Sequence, residues 1–337
     1  LRSPLPGILY NLYVSSKTNY TKPRKLIALK YIMAGRELKE STIKEYEKKI
    51  KKLNENVDDF YEDPMEILNW LDSSGFSGST QKSYLSAVKW EMGADAFPDF
   101  LQERLNELYG QQNDRAKSQL MTTKQEEQMV EWSVVKKKAE EYIEKYKDTG
   151  VESKYGGSSV DIDYPAKVLI AGLYTLQPPV RADYGDMIVS IDAHKEGYDG
   201  NELVFRDRGN SYFLFRKYKT SKTYGEARIP VSPELYDLIK HLGKEKGKYL
   251  FTNHGTRKQI GQDLSNEPLG NKLFAQEVQN VFGSILGKVF GINMLRHSYI
   301  MYHFPKLTTI AKKEELAKMM LHSRLTQETY NLVGEAD

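Results

Sequence analysis

The residues of this chain best suited to chemistry gather near its end. The segment runs from Gly291 through Asn293-Met294-Leu295-Arg296-His297-Ser298-Tyr299, along a polar helix to Leu321-His322-Ser323, and on to Tyr330. An arginine in an amphipathic helix, a histidine on a turn and a tyrosine just beyond it form a set able to hold a phosphodiester and attack it. A guanidinium is permanently charged and can donate two parallel hydrogen bonds to phosphate oxygens. A phenol, with an ordinary pKa of about 10, becomes a nucleophile once its surroundings favour the phenolate or take its proton. Each residue alone has a plainer reading. A helical arginine is most often half of a structural ion pair, a lone histidine caps or packs, and Tyr330 is one of 23 tyrosines.

The elements that must position these residues can be read in outline. A chain of 337 residues exceeds one small core and implies two domains. Its 39% hydrophobic and 11% aromatic residues suffice for packed cores, which excludes fibrous classes. With no cysteine, disulfides and thiolate metal sites are excluded, and a reducing intracellular setting fits. No apolar run approaches the roughly 18 residues of a membrane span, so no membrane partner is expected. Because the chain opens on Leu1, its natural start and any targeting signal are expected upstream. The net charge of +3 says little, but the first fifty-odd residues concentrate lysine and arginine and hold few acids. Such a region suits phosphate contacts, and it equally suits a solvated helix face.

In chain order, residues 1–38 read as a basic arm and 39–112 as a helical domain. Ile43, Tyr46, Ile50 and Leu53 lie at helical spacing with Ser41 or Thr42 as cap, and Pro64 opens a second helix. Ser79-Thr80 caps a third, and Phe97 to Leu108 forms a fourth. Gln111 to Ser118 is polar, without apolar periodicity, and the linker to a second domain, 121–337, is read there as 113–120. That domain is expected to begin with one long helix from Thr123 to Lys147, followed by an apolar helix through Leu176 and the turn Gln177-Pro178-Pro179-Val180-Arg181. Two prolines restrict the backbone ahead of Arg181 and so present its side chain at a defined angle. Short strands follow at 187–191, 203–205, 212–217 and 227–231, the last two joined as a hairpin through Thr220 to Gly225. Helices then lead to His322 and Tyr330. The expected fold class is mainly α with a small antiparallel β-sheet (α+β).

Taken together, Arg181 after an apolar helix, a hairpin lysine ahead of Ile229-Pro230, Leu295-Arg296-His297, Leu321-His322-Ser323 and Tyr330 resemble the motif boxes of the tyrosine recombinases, the superfamily of phage lambda-type integrases. The resemblance spans the chain from about Ser41 onward. It implies a helical core DNA-binding domain followed by a catalytic domain that cleaves and rejoins DNA through a 3′-phosphotyrosyl intermediate, with no metal or other cofactor. In that scheme Tyr330 is the nucleophile, and Arg181 and Arg296 stabilise the charge gathering on the non-bridging oxygens. Lys222, with Lys219 as alternative, protonates the leaving 5′-hydroxyl, and His322 binds phosphate or assists proton transfer. His297 is expected to be structural. Lys44, Lys48, Lys51, Lys52, Lys82, Lys89 and Lys219 are the expected DNA contacts. The implied partner is double-stranded DNA carrying recombination sites, gripped by a homo-tetramer across two sites. The implied location is the cytoplasm of a prokaryotic host, or the nucleus or viral factory of a eukaryotic one.

Several positions depart from the family pattern. Asn293 stands where a histidine or lysine is usual; its amide could reach phosphate but cannot act as a charged acid. The usual acid three residues after the first arginine is replaced by Tyr184, leaving Asp183 or Asp186 to orient Arg181. Met320-Leu321-His322 replaces Leu-Gly-His, and the interval from His322 to Tyr330 is one residue short. These departures fit a divergent branch, such as integrases of large DNA viruses or eukaryotic mobile elements. The alternatives are a type IB topoisomerase-like relaxase, a catalytically weakened DNA-binding protein, and a metal-dependent nuclease using Asp161, Asp163, Asp183 and Asp186.

Overall fold

In the computed structural model, which describes residues 38–148, 164–193, 198–244, 246–252 and 267–331, the apolar periodicity of the first part becomes four helices. These are α1 (Glu40–Asn54), α2 (Met65–Ser73), α3 (Gly78–Met92) and α4 (Asp99–Ser118). Leu53, Ile67, Leu71, Leu85, Val88 and Leu101 form the centre of their shared core. The caps differ from those expected. Helix α1 starts after Lys39 with no side-chain cap, and Ser77 caps α3, its Oγ accepting from the Thr80 amide at 3.3 Å. Residues 113–118, expected in the linker, are the end of α4. Their exposed arginine, alanine and lysine are good helix formers, and a helix already nucleated extends at little further cost. The chain divides into two compact units, Leu1–Arg115 and Ala116–Asp337. The basic arm, except Leu38, lies outside the described residues, as do Asp161 and Asp163.

The second unit contains α5 (Thr123–Gln128), α6 (Trp132–Tyr146) and α7 (Tyr164–Thr175). The single helix expected from Thr123 to Lys147 is therefore broken. Lys288 Nζ donates at 2.9 Å to the carbonyls of both Glu127 and Met129, satisfying them outside a continuous helix, and the buried Trp132 begins the next. Every residue of α7 from Val168 to Thr175 is buried, as an all-round apolar helix must be. It packs against α6, α9 (Pro233–His241) and α10 (Asn271–Leu286). Helices α11 (Ile292–His303), α12 (Ile310–Met319) and α13 (Arg324–Glu328) complete the unit. No helix among the described residues is long and apolar enough to cross a membrane.

The architecture is mainly helical with one small sheet, as expected, but the sheet is mixed rather than antiparallel. Strands β1 (Ile188–Ser190), β2 (Glu202–Val204), β3 (Tyr212–Phe215) and β4 (Ala227–Pro230) lie in that order. β2, β3 and β4 are antiparallel, whereas β1 and β2 pair in parallel with Val189 opposite Leu203. The stretch between them, 191–201, is close in length to the dozen residues that joining a parallel pair usually takes. Between β3 and β4 the hairpin tip closes through a single helical turn, α8 (Ser221–Tyr224).

The turn carrying Arg181 and Asp183 is anchored at Gly185. A Cβ there would lie 2.6–2.7 Å from the backbone atoms of Gly270 and Asn271, which cannot yield, and the Gly270 amide donates to the Gly185 carbonyl at 3.0 Å. A Cβ at Gly172 in α7 would instead meet the mobile end of Leu238 at 2.5 Å. Gly185→Ala should therefore cost about 2–4 kcal/mol. At Gly172→Ala the clash is partly offset by about 1 kcal/mol of helix propensity. Denaturant unfolding of both variants checks the order; equal stability would refute the backbone-contact argument.

Candidate active site

The site is built on the end of α12. Its last turn closes with Leu321 in the left-handed region, φ +56°, and the Leu321 and His322 amides each donate at 3.1 Å, to the carbonyls of Lys318 and Ala317. This paired cap is ordinarily made by glycine, which suffers no Cβ clash. Leucine fits because its side chain, 3% exposed, is buried in the main core of the unit. Burying a leucine is worth roughly 1.5–3 kcal/mol, against about 1–2 kcal/mol for the left-handed backbone.

The cap leaves two carbonyls to be used by other elements. Met320 O accepts from Arg296 Nη1 at 3.2 Å, and Leu321 O accepts at 3.3 Å from both Arg181 Nη1 and Thr220 Oγ1. Arg296 Nη1 also donates to Pro179 O at 2.8 Å, while the Tyr174 hydroxyl donates to Arg181 O at 2.9 Å. The proline turn, α11, the α12 cap and the hairpin tip thus converge on one short stretch of backbone. Arg296 is 0% exposed, and its Nε and Nη2 meet no acceptor. Burial lowers its pKa, opposed by the nearby Tyr330 and reinforced by Arg181. Charge is retained, since a guanidinium does not deprotonate in proteins.

His322 is buried with both ring nitrogens unpaired. Burial, then repulsion from Arg296 and Arg181, pushes its pKa down to about 3, so the ring is neutral at physiological pH. Tyr330 lies just beyond α13. Its ring centroid is 5.8 Å from that of His322, 4.5 Å from that of His297 and 5.2 Å from Arg296 Cζ. Arg181, Arg296, His322 and Tyr330 are thereby brought together. Of the two acids that could serve Arg181, Asp183 is buried, with its pKa pushed up to about 6 by burial and held back by Arg181 and then Arg296. Asp186 is exposed; partial burial raises its pKa and the charge of Lys217 opposes that.

The remaining candidates sit further out. Lys222 lies exposed on α8, and neither it nor the exposed Lys219 forms an ion pair with a described residue. Asn293 is exposed in the first turn of α11 and bonds to no other site residue. In the first unit Lys44 pairs with Glu40 and Lys48 with Glu45, exposed contacts of small energy. Lys52, Lys82 and Lys89 lie over the rings of Phe76, Tyr109 and Phe97, and Lys51 is exposed. Among the described residues no group of three or more His, Asp or Glu is placed to hold a metal. Thr220 and the Met320 and Leu321 carbonyls were not legible as site atoms. The only sequence signal was the leucine occupying a glycine position.

No family model matches the chain, and no curated protein matches it. The chain is similar to the solved structure of XerA recombinase, at 13% identity and a TM-score of 0.38, covering 93% of this chain and 95% of that one. It is similar also to a protelomerase TelA variant covalently complexed with substrate DNA, at 14% identity and a TM-score of 0.40, covering 97% and 94%.

Two measurements check this geometry. At Leu321 the left-handed backbone inverts the usual preference. Leu321→Gly and Leu321→Ala both lose a buried side chain, at about 2–5 kcal/mol, yet the glycine variant should be the more stable by about 1 kcal/mol. An alanine variant equal or superior in melting temperature would contradict the strain. For Asp183, the native carboxyl titrates near 6 and the unfolded one near 3.8. The native state keeps a proton that the unfolded chain has lost, so stability falls as pH rises through that window. Asp183→Asn should thus be more stable than wild type at pH 7 by up to about 3 kcal/mol, a difference gone below about pH 4. Unfolding at both pH values checks this, and a pH-independent difference would show that ionisation is not its cause.

Proposed function

We propose that this protein is a site-specific recombinase that breaks and rejoins DNA strands through a phosphotyrosine linkage, with no metal taking part. The observation that carries the reading is a set of buried nitrogens without hydrogen-bond partners, Arg296 Nε and Nη2 and His322 Nδ1 and Nε2, beside the ring of Tyr330. Buried donors left unpaired are costly. Two guanidinium groups and a neutral imidazole gathered together gain most from an oxyanion brought among them, and a phosphodiester is the anion a tyrosine can attack and keep.

In this reading Arg181 and Arg296 hold the non-bridging oxygens and oppose the charge that builds on them in the transition state. The Tyr330 oxygen bonds to phosphorus as the bond from phosphorus to the 5′-oxygen breaks. His322, being neutral, donates a hydrogen bond to the phosphate, and the phenol proton passes to water. Lys222 or Lys219, on the hairpin tip that Thr220 ties to Leu321 O, supplies a proton to the departing 5′-oxygen. Rejoining reverses each transfer, with a 5′-hydroxyl attacking the 3′-phosphotyrosine. The helical unit, with its lysines laid over aromatic rings, is proposed to contact DNA phosphates, so binding should weaken steeply with salt. Assembly as a tetramer on two DNA sites belongs to the same proposal.

Asn293 favours a second reading, a DNA-binding protein that has lost the reaction, because an amide replaces the charged group and stands exposed. One experiment separates them. Wild-type protein incubated with a library of nicked duplexes in EDTA should become covalently attached to a 3′ end, and Tyr330→Phe should give no adduct. An adduct persisting in Tyr330→Phe would remove Tyr330 as nucleophile. Tight binding by wild type with no adduct on any duplex would establish the second reading, and cleavage abolished by EDTA would establish a metal-dependent one.

A further inference from the structure

We propose that His297 is the positioning residue for Tyr330, fixing both its backbone and its ring; this rests on the reading of Tyr330 as nucleophile. Consecutive side chains on a helix diverge by about 100°, so Arg296 and His297 can both meet Tyr330 only if it lies across the face between them. Arg296 Cζ lies 5.2 Å from the ring centroid. His297 reaches further around the residue: its ring centroid is 4.5 Å from that of Tyr330 at an interplanar angle of 31°, and its Nδ1 is 3.0 Å from the Tyr330 carbonyl oxygen. A carbonyl only accepts, so Nδ1 carries the proton and donates it. Burial holds the imidazole below its ordinary pKa, opposed by that hydrogen bond.

Tyr330 needs such a hold because the element before it is weak. Helix α13 has five residues, far below the length at which a helix is stable by itself. It is kept by the Arg324–Glu328 pair at 2.7 Å and by Gln119 Nε2, which donates at 2.8 Å to the Glu328 carbonyl. The Tyr330 amide donates to Gln327 O at 3.0 Å. These act on the chain only as far as the Tyr330 amide. His297 alone among the side chains named here engages the Tyr330 carbonyl and ring together. An attacking oxygen must be held about 3–3.5 Å from phosphorus and in line, and a misplacement of about 1 Å costs on the order of 100-fold in rate.

The test uses the full chain and three variants. His297→Asn keeps a donor near the position of Nδ1 and loses the ring, His297→Phe keeps a ring and loses the donor, and His297→Leu loses both. Adduct formation in a single turnover on nicked duplex is measured beside DNA affinity, with hydrogen exchange of residues 324–331 followed in the free protein. The expected result is adduct formation slowed by about 10- to 100-fold in the leucine and phenylalanine variants. DNA affinity stays unchanged, exchange in 324–331 accelerates, and the asparagine variant regains most of the rate. Wild-type rate and exchange in all three variants would overturn the proposal. So would an equal loss of rate in all three accompanied by loss of DNA affinity, the mark of a general packing role. Should wild type itself form no adduct, the recombinase reading fails, while exchange still decides the contact: unchanged protection in His297→Leu would show that His297 does not hold this segment.

Discussion

The left-handed turn at Leu321 is the constraint on which the site depends. With that one residue at φ +56°, the helix stops, and the carbonyls of Met320 and Leu321 become acceptors for Arg296, Arg181 and Thr220. Those three donors come from α11, from the turn after α7 and from the β3–β4 hairpin. Continued as a helix, the same backbone would direct these carbonyls along its own axis toward residues farther along. The strain is met by burial, since the leucine side chain that makes the turn unfavourable also fills the core beneath it. Loop geometry and core packing are therefore coupled at a single residue.

Electrostatics and burial together set the protonation states around the two arginines. Two guanidinium groups lie near His322, one of them fully buried, and the buried Asp183 near them holds its proton up to about pH 6. The field of the arginines and the loss of water keep His322 neutral. Neutral imidazole can both donate and accept, whereas an imidazolium beside two arginines would add to the repulsion.

Behind the site lies a rigid frame. Helix α7 is buried on every side, and its Tyr174 hydroxyl holds the Arg181 carbonyl. The contact of Gly185 with Gly270 fixes the far end of the same turn. Arg181 is thus held by a packed helix on one side and a backbone contact with no room for a Cβ on the other. Tyr330, by contrast, sits at the end of a five-residue helix and is placed by its neighbours.

The sequence by itself determined which residues have the chemistry and in what order they come. It also determined the helices whose apolar positions recur at regular spacing, because periodic burial is a local property written into adjacent residues. The run from Val168 to Thr175 and the strands leading to Ile229-Pro230 were legible for that reason. Contacts that depend on residues far apart in the chain were not. Lys288 dividing α5 from α6, the parallel pairing of β1 with β2, and Thr220 sharing an acceptor with Arg181 all join segments whose proximity no local pattern encodes. The same is true of protonation, since burial and the fields of Arg181 and Arg296 set the states of Asp183 and His322. Residue types fix what chemistry is available, and tertiary structure decides which groups lose their water together.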